Sequence, residues 1–199
     1  MKKIRNTWIP DNDTFFVPYI ERRDVFEQGN LDTALKFVRE WNVAVDGGAH
    51  VGSWSRYMAS RFRDVYAYEP QPDNFECLKA NCGHLENVHC NNLALGKDCG
   101  AVALAPGNNG GCWYQVPGSG VQMIPLPDFG ALDFLKLDIE GFEADVIEGA
   151  IDLIDRYRPV VLIEEKNLPH KPLDYKARRL LEMLDFREVA RSGRDVVFA

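Results

Sequence analysis

The segment Asp46-Gly47-Gly48-Ala49-His50-Val51-Gly52 sets an acid directly before a glycine-rich turn. Glycines there let a chain pass sharply from strand to helix and bring backbone N–H groups close to a ligand. Gly47-x-Ala49-x-x-Gly52 can be aligned on the dinucleotide fingerprint, with Ala49 where the central glycine would approach a pyrophosphate. A methyl group is unwelcome at that position, and Asp46 would place negative charge near two phosphates. A ligand carrying an ammonium and a sulfonium would welcome the same acid, so the charge argument selects S-adenosylmethionine over NAD. Glu69 follows the apolar run 65–68, 23 positions after Asp46. An acid there can accept hydrogen bonds from both ribose hydroxyls. Alone, Asp46 could cap a helix and Glu69 could be a solvated strand end; the pair at this spacing reads as a nucleoside site.

A second constellation is Leu135-Lys-Leu-Asp138-Ile-Glu140-Gly141, with two carboxylates at the end of an apolar run. Methyl transfer is an in-line displacement, so alignment and water exclusion are the main tasks, and a hydroxyl acceptor also benefits from a general base. Asp138 is the first candidate base, with Glu140 and Glu164 behind it and His170 a weaker one. Equally, Asp138 could only position the cofactor's amino group, and Glu140 could cap the helix beginning near Gly141. His50 receives no chemistry. Cys77, Cys82, Cys90, Cys99 and Cys112 form no C-x-x-C pair. His84 and His89 lie among them, but free thiols are the expected reading and no metal site is assigned.

These groups need a scaffold that gathers strand ends. Residues 1–30 read as an irregular, Pro- and Asp-punctuated arm with a short helix. Leu31, Leu35, Val38 and Trp41 recur at helical spacing. Strands are expected at 43–45, 65–68, 88–95, 134–138 and 160–164, with helices at 53–61, from Pro72 to about Cys82, and at 143–157. Residues 101–105 and 121–126 read as further strands around a Gly-rich stretch, 106–120, whose Trp113 and Tyr114 could form a lid. A helix at 175–184 and strands at 186–189 and 196–198, joined at Ser192-Gly193, close the pattern as a hairpin. Strands alternating with helices predict a parallel sheet covered on both faces, a Rossmann-like α/β fold. No repeat or linker suggests a second domain, so residues 1–199 are expected to be one domain with a cofactor-binding core at 41–166.

The bulk properties agree with a globular enzyme. The 199 residues are 46% hydrophobic and 27% charged, with net charge −7. That balance and the scattered basic residues disfavour nucleic acid as a partner. No apolar stretch approaches the roughly 20 residues needed to span a bilayer, no signal peptide is visible, and the cysteine usage suits a cytoplasmic setting.

Taken with Tyr68-Glu-Pro70, Asn92-Leu-Ala-Leu-Gly96 and Arg158-Pro-Val-Val-Leu-Ile-Glu164, the two constellations resemble the FkbM-type methyltransferases. The most specific part is the run from Leu137 through Asp138-Ile-Glu140-Gly-Phe-Glu-Ala-Asp-Val-Ile-Glu to Gly149. The resemblance implies a Class I fold, with a mostly parallel seven-stranded sheet, helices on both faces and an antiparallel C-terminal strand. It implies methyl transfer from S-adenosylmethionine, usually to a hydroxyl, on a small molecule, sugar or glycan. It places Asp46, Gly48 and Gly52, within a loop that includes Gly47 and Ala49, at the methionine end. Glu69 falls at the ribose, Asn92 near the adenine, and Asp138 close to the transfer point. An NAD-dependent oxidoreductase and a non-catalytic nucleoside-binding module are the competing readings. Adenine N-methylation is disfavoured, because Asp138-Ile-Glu-Gly stands where an Asn/Asp-Pro-Pro-Tyr/Phe segment would be expected.

Overall fold

The computed structural model describes residues 1–23, 25–106, 113–167 and 173–199. The N-terminal arm holds an antiparallel hairpin of β1 (Lys2–Ile4) and β2 (Thr7–Ile9), then α1 (Val17–Arg22) and α2 (Gln28–Leu35). Asp and Pro punctuation hid the hairpin from the sequence reading, since each strand is only three residues long.

The core alternates as its pattern predicts: β3 (Val43–Gly47), α3 (Ser53–Met58), β4 (Asp64–Tyr68), α4 (Pro72–Cys82) and β5 (Val88–Asn91). Pro72 opens α4, and the Gln71 side chain caps it by accepting from Asn74 N at 2.6 Å. After β10 (Phe134–Leu137) come α5 (Glu143–Gly149), α6 (Ile151–Tyr157), β11 (Val160–Glu164), α7 (Lys176–Met183), β12 (Glu188–Ser192) and β13 (Asp195–Phe198). The single helix expected over 143–157 is broken at Ala150. A Cβ on the preceding Gly149 would stand 2.6 Å from Lys97 O, so this turn packs directly on backbone.

Seven strands form one sheet in the order β12-β13-β11-β10-β3-β4-β5. The pairings from β11 to β5 are parallel, and the last strand, β13, runs antiparallel to β11. Alternation along buried strands sends Val43, Val45, Leu135 and Leu137 to one face, packed with Ile147 and Ile154 of the later helices. Ala44, Val65 and Phe134 face the other way, against Leu31, Trp54 and Leu78 of α2 to α4. Both faces are covered, and ligands in such folds bind beyond the carboxyl ends of the strands.

The middle of the chain departs from expectation. The strand expected over 88–95 stops at Asn91, and Ala94–Leu95 (β6) joins a separate sheet with β7 (Gly100–Pro106), β8 (Trp113–Pro117) and β9 (Val121–Ile124), in the order β6-β9-β7-β8. The switch occurs at Asn92, whose amide reaches back to Glu69 O at 2.9 Å and Pro70 O at 3.1 Å, carrying the chain out of the large sheet. β7 pairs with both β8 and β9. Trp113 and Tyr114, expected in a Gly-rich loop, therefore lie in a strand. Residues 107–112 of the expected lid lie outside the described residues. Among the described residues no helix is long and apolar enough to cross a membrane.

Candidate active site

The carboxyl ends of β3, β4 and β10 open onto one cleft enclosing about 1210 Å³, open mouth included. Asp46, Gly48, Ala49, Glu69, Asp138 and Glu140 all line it. Gly47, Gly52, Asn92 and Glu164 do not, and His170 lies outside the described residues. Gly47 lies within β3, where a Cβ would meet Leu137 Cδ2 at 2.9 Å. Gly52, at φ +82°, lets α3 pack against α4: a Cβ there would be 2.6 Å from both Cys82 Sγ and Leu78 Cδ1. The Asn92 amide tethers the backbone of residues 69 and 70.

Gly48 is the tightest point of the loop. At φ +74° it adopts the left-handed region, and a Cβ would fall 2.0 Å from Asp138 O. The turn thus brings the β3 loop against the end of β10 with no room for a side chain. Gly48 N and Ala49 N both donate to Tyr68 O, at 2.9 and 3.0 Å, which fixes the loop to the end of β4.

Asp46 is fully buried, and its charge is answered inside the protein. Parallel pairing sets Asp46 opposite Lys136. The Lys136 ammonium lies 3.0 Å from Asp46 Oδ1 and donates to Gly48 O at 2.7 Å, while Ser55 Oγ donates to Asp46 Oδ2 at 2.6 Å. The Asp46 carboxylate at the floor of the cleft is thus shared with Lys136 and Ser55. The Lys136 pKa is raised: burial pushes it down, but Asp46, Asp138 and Glu69 together outweigh that effect. Lys136 was overlooked because nothing local in an apolar strand signals which residue faces it across the sheet.

Glu69 joins two loops. Its Oε2 accepts from His50 N at 2.8 Å and its Oε1 from Gln71 N at 2.9 Å. Burial pushes it up to about 7, against those hydrogen bonds and Lys136. The Asn74 side chain is a third partner, and the carboxylate still has an acceptor site left for a ligand hydroxyl. His50, at φ +52°, places its ring 4.9 Å from the Phe16 ring and 3.7 Å from Asp13 Oδ2. Burial lowers its pKa to about 4, so at neutral pH it is an uncharged wall of the cleft.

Asp138, Glu140 and Glu164 each offer a carboxylate oxygen within 4.8 Å of the other two. Lys166 serves this group, 3.0 Å from Glu140 Oε2 and in direct contact with Glu164 Oε2. Burial, with Asp138 beside it, pushes Glu164 up to about 9. Asp138 moves the other way: burial raises it, but Lys136, Lys166 and a hydrogen bond from Glu164 bring it below its ordinary value. Glu143, the first residue of α5, ties down the turn before it, its Oε1 accepting from Ile139 N at 3.1 Å and Gly141 N at 3.2 Å. Glu140 itself stands at φ +58° in the turn before α5.

The site fits a nucleoside cofactor. Gly48 leaves the loop bare where any Cβ would collide, and Glu69 is a buried carboxylate with acceptor capacity left over. The sheet order, the antiparallel last strand and the acids at the ends of β4 and β10 define a Rossmann-like Class I methyltransferase fold. Residues 46–188 match the model of the methyltransferase FkbM domain, and the chain belongs to that family. Its cofactor is S-adenosylmethionine.

Among solved structures, the FkbM methyltransferase of Methylobacillus flagellatus KT matches at 19% identity and TM-score 0.55, over 82% of this chain and 45% of that one. The chain thus spans less than half the length of that relative. A SAM-dependent methyltransferase from Aquifex aeolicus matches at 15% identity and TM-score 0.52, over 94% and 93% of the two chains. A precorrin-6y C5,15-methyltransferase from Geobacter metallireducens GS-15 matches at 19% identity and TM-score 0.50, over 89% of each. At such identities the likeness is one of fold. A search of curated proteins finds no match.

Proposed function

We propose that the chain is a single-domain O-methyltransferase acting on a hydroxyl of a small molecule, sugar or glycan, with Asp138 as general base. The observation that carries this reading is the opposed pair at the ends of β10 and β11. Asp138 is held ionised and lines the cleft, while Glu164 behind it retains a proton at neutral pH. A pair of acids driven apart in this way offers one group ready to take a proton.

When bound, S-adenosylmethionine supplies a methyl group already made electrophilic by its sulfonium. Glu69 would hold the ribose, and the bare backbone at Gly48 would let the cofactor lie close to β10. Asp138 would accept the proton that the acceptor hydroxyl gives up on taking the methyl group from sulfur, with S-adenosylhomocysteine as the other product, and Lys166 would offset the charge of Asp138 and Glu140 beside Glu164. Phe16, Phe26 and Trp113 line the cleft and help exclude water. The acidic surroundings and net charge of −7 favour an acceptor other than nucleic acid. The free thiols of Cys77, Cys82, Cys90 and Cys99 are in keeping with a reducing, cytoplasmic setting.

Transfer of a labelled methyl group across a panel of hydroxyl-bearing sugars, glycans and small molecules tests this reading. An O-methylated product is expected. Asp138→Asn should lower kcat by roughly 10²- to 10⁴-fold while S-adenosylhomocysteine affinity changes little. A product methylated on nitrogen or carbon, or an unchanged kcat in the variant, overturns the proposal.

A further inference from the structure

Gln115 lies on β8, in the smaller sheet, and is only 6% exposed. Its Nε2 donates to Leu95 O at 3.1 Å, while its Oε1 is buried and has no hydrogen-bond partner among the described residues. The contact with Leu95 O fixes which way the amide points, because the opposite orientation would set two oxygens against each other. Gln115 also lines the same cleft as Gly48 and Glu69. Buried side-chain acceptors are nearly always paired, so a buried, unpartnered one on a residue that lines a ligand cleft calls for a donor from the ligand.

We propose that Gln115 Oε1 receives the exocyclic amino group of the cofactor's adenine, an assignment that rests on the S-adenosylmethionine reading above. The sheet order carries the direction. Across the carboxyl edge the strands run β10, β3, β4, β5. Asp138 follows β10, the glycine loop follows β3, Glu69 follows β4, and Leu93 and Ala94 come after β5. A nucleoside with its ribose on Glu69 and its sulfur toward Asp138 must extend its base toward β5. There Leu93, Ala94, Leu104 and Trp113 supply an apolar lining, and Gln115 supplies the hydrogen-bond acceptor in it. Adenine suits such a place, with flat apolar faces and an amino group on its edge. Asn92 contributes by tethering the segment before β6 to the backbone of Glu69 and Pro70. A 6-oxopurine would turn a carbonyl oxygen toward Gln115 Oε1 and be rejected.

Calorimetric titration of the full chain with S-adenosylhomocysteine and with its 6-oxo counterpart, S-inosylhomocysteine, tests the assignment. The wild type is expected to bind the adenosyl ligand roughly 10- to 100-fold more tightly. Gln115→Met should reduce that preference to below about 3-fold, mainly by weakening the adenosyl ligand. Equal wild-type affinities, or a preference that survives in Gln115→Met, overturn the role of Gln115 and leave the cofactor reading standing. Binding of neither ligand overturns both together. Should Gln115→Met fail to fold, the wild type with the 6-unsubstituted purine counterpart decides: affinity about tenfold below the adenosyl ligand supports the role, and equal affinity ends it.

Discussion

Replacing Lys136 with Met tests whether the floor of the glycine loop is an internal ion pair. The variant keeps the length of the side chain and removes its charge. Asp46 is then left fully buried with its Ser55 hydrogen bond but no cation, and Gly48 O loses a donor. Breaking a buried pair on one side costs about 3–5 kcal/mol, because the remaining charge has neither water nor a partner. For a domain of this size each kcal/mol moves the melting temperature by roughly 2–4 °C, so a loss on the order of 10 °C is expected. Thermal unfolding followed by circular dichroism measures it directly. Adding Asp46→Asn to Lys136→Met removes the stranded charge, and the double variant should recover at least half of the lost stability. A Lys136→Met protein melting within about 2 °C of wild type, or a double variant less stable than the single, would refute the pairing.

Two further outcomes follow from the same geometry. Gly48→Ala meets both a left-handed backbone and a carbonyl 2.0 Å away, whereas Gly130→Ala, at φ +77°, meets only the backbone cost because its surroundings are open. Gly130→Ala should cost about 1 kcal/mol and spare cofactor binding; Gly48→Ala should cost several-fold more and abolish it, and similar melts for the two would dismiss the close approach. Burial raises Glu69 and Glu143 from 4.5 to about 7 and Glu164 to about 9. For an acid whose folded pKa is raised, the stabilising contribution is present below the unfolded pKa and is lost as pH rises through the folded one. The unliganded protein should therefore melt lower at pH 8.5 than at pH 6.5, while S-adenosylhomocysteine binds more tightly as Glu69 ionises over that window. A melting temperature that climbs from pH 6.5 to 8.5 would contradict the burial of these acids.

Much of the large sheet was legible because its elements carry their own signals. Val43 to Val45 is a short apolar run ended by glycines, Pro72 marks a helix start, and Ser192-Gly193 marks a hairpin turn; each became an element close to its expected bounds. The smaller sheet was not legible, because β6 is only two residues long and follows β5 after no more than Asn92 and Leu93. The turn away is marked by the Asn92 side chain, which reaches back to Glu69 O and Pro70 O, and by the pairing of β6 with β9. The site divides in the same way. Acids at strand ends were visible from local sequence, and four of them, Asp46, Glu69, Asp138 and Glu140, line one cleft with Gly48 and Ala49 of the loop. Lys136 and Gln115 owe their positions to cross-strand register and to a second sheet, both set by distant pairing, so nothing local marked either one.

The Glu69 carboxylate draws the loop after β3 and the loop after β4 together through His50 N and Gln71 N, with no ligand involved. The two segments that meet the nucleoside are therefore ordered in advance, and little conformational entropy remains to be lost when the ligand arrives. Association then needs no slow loop closure at this end of the cleft, so the observed rate should rise linearly with ligand concentration and not level off at an isomerisation step.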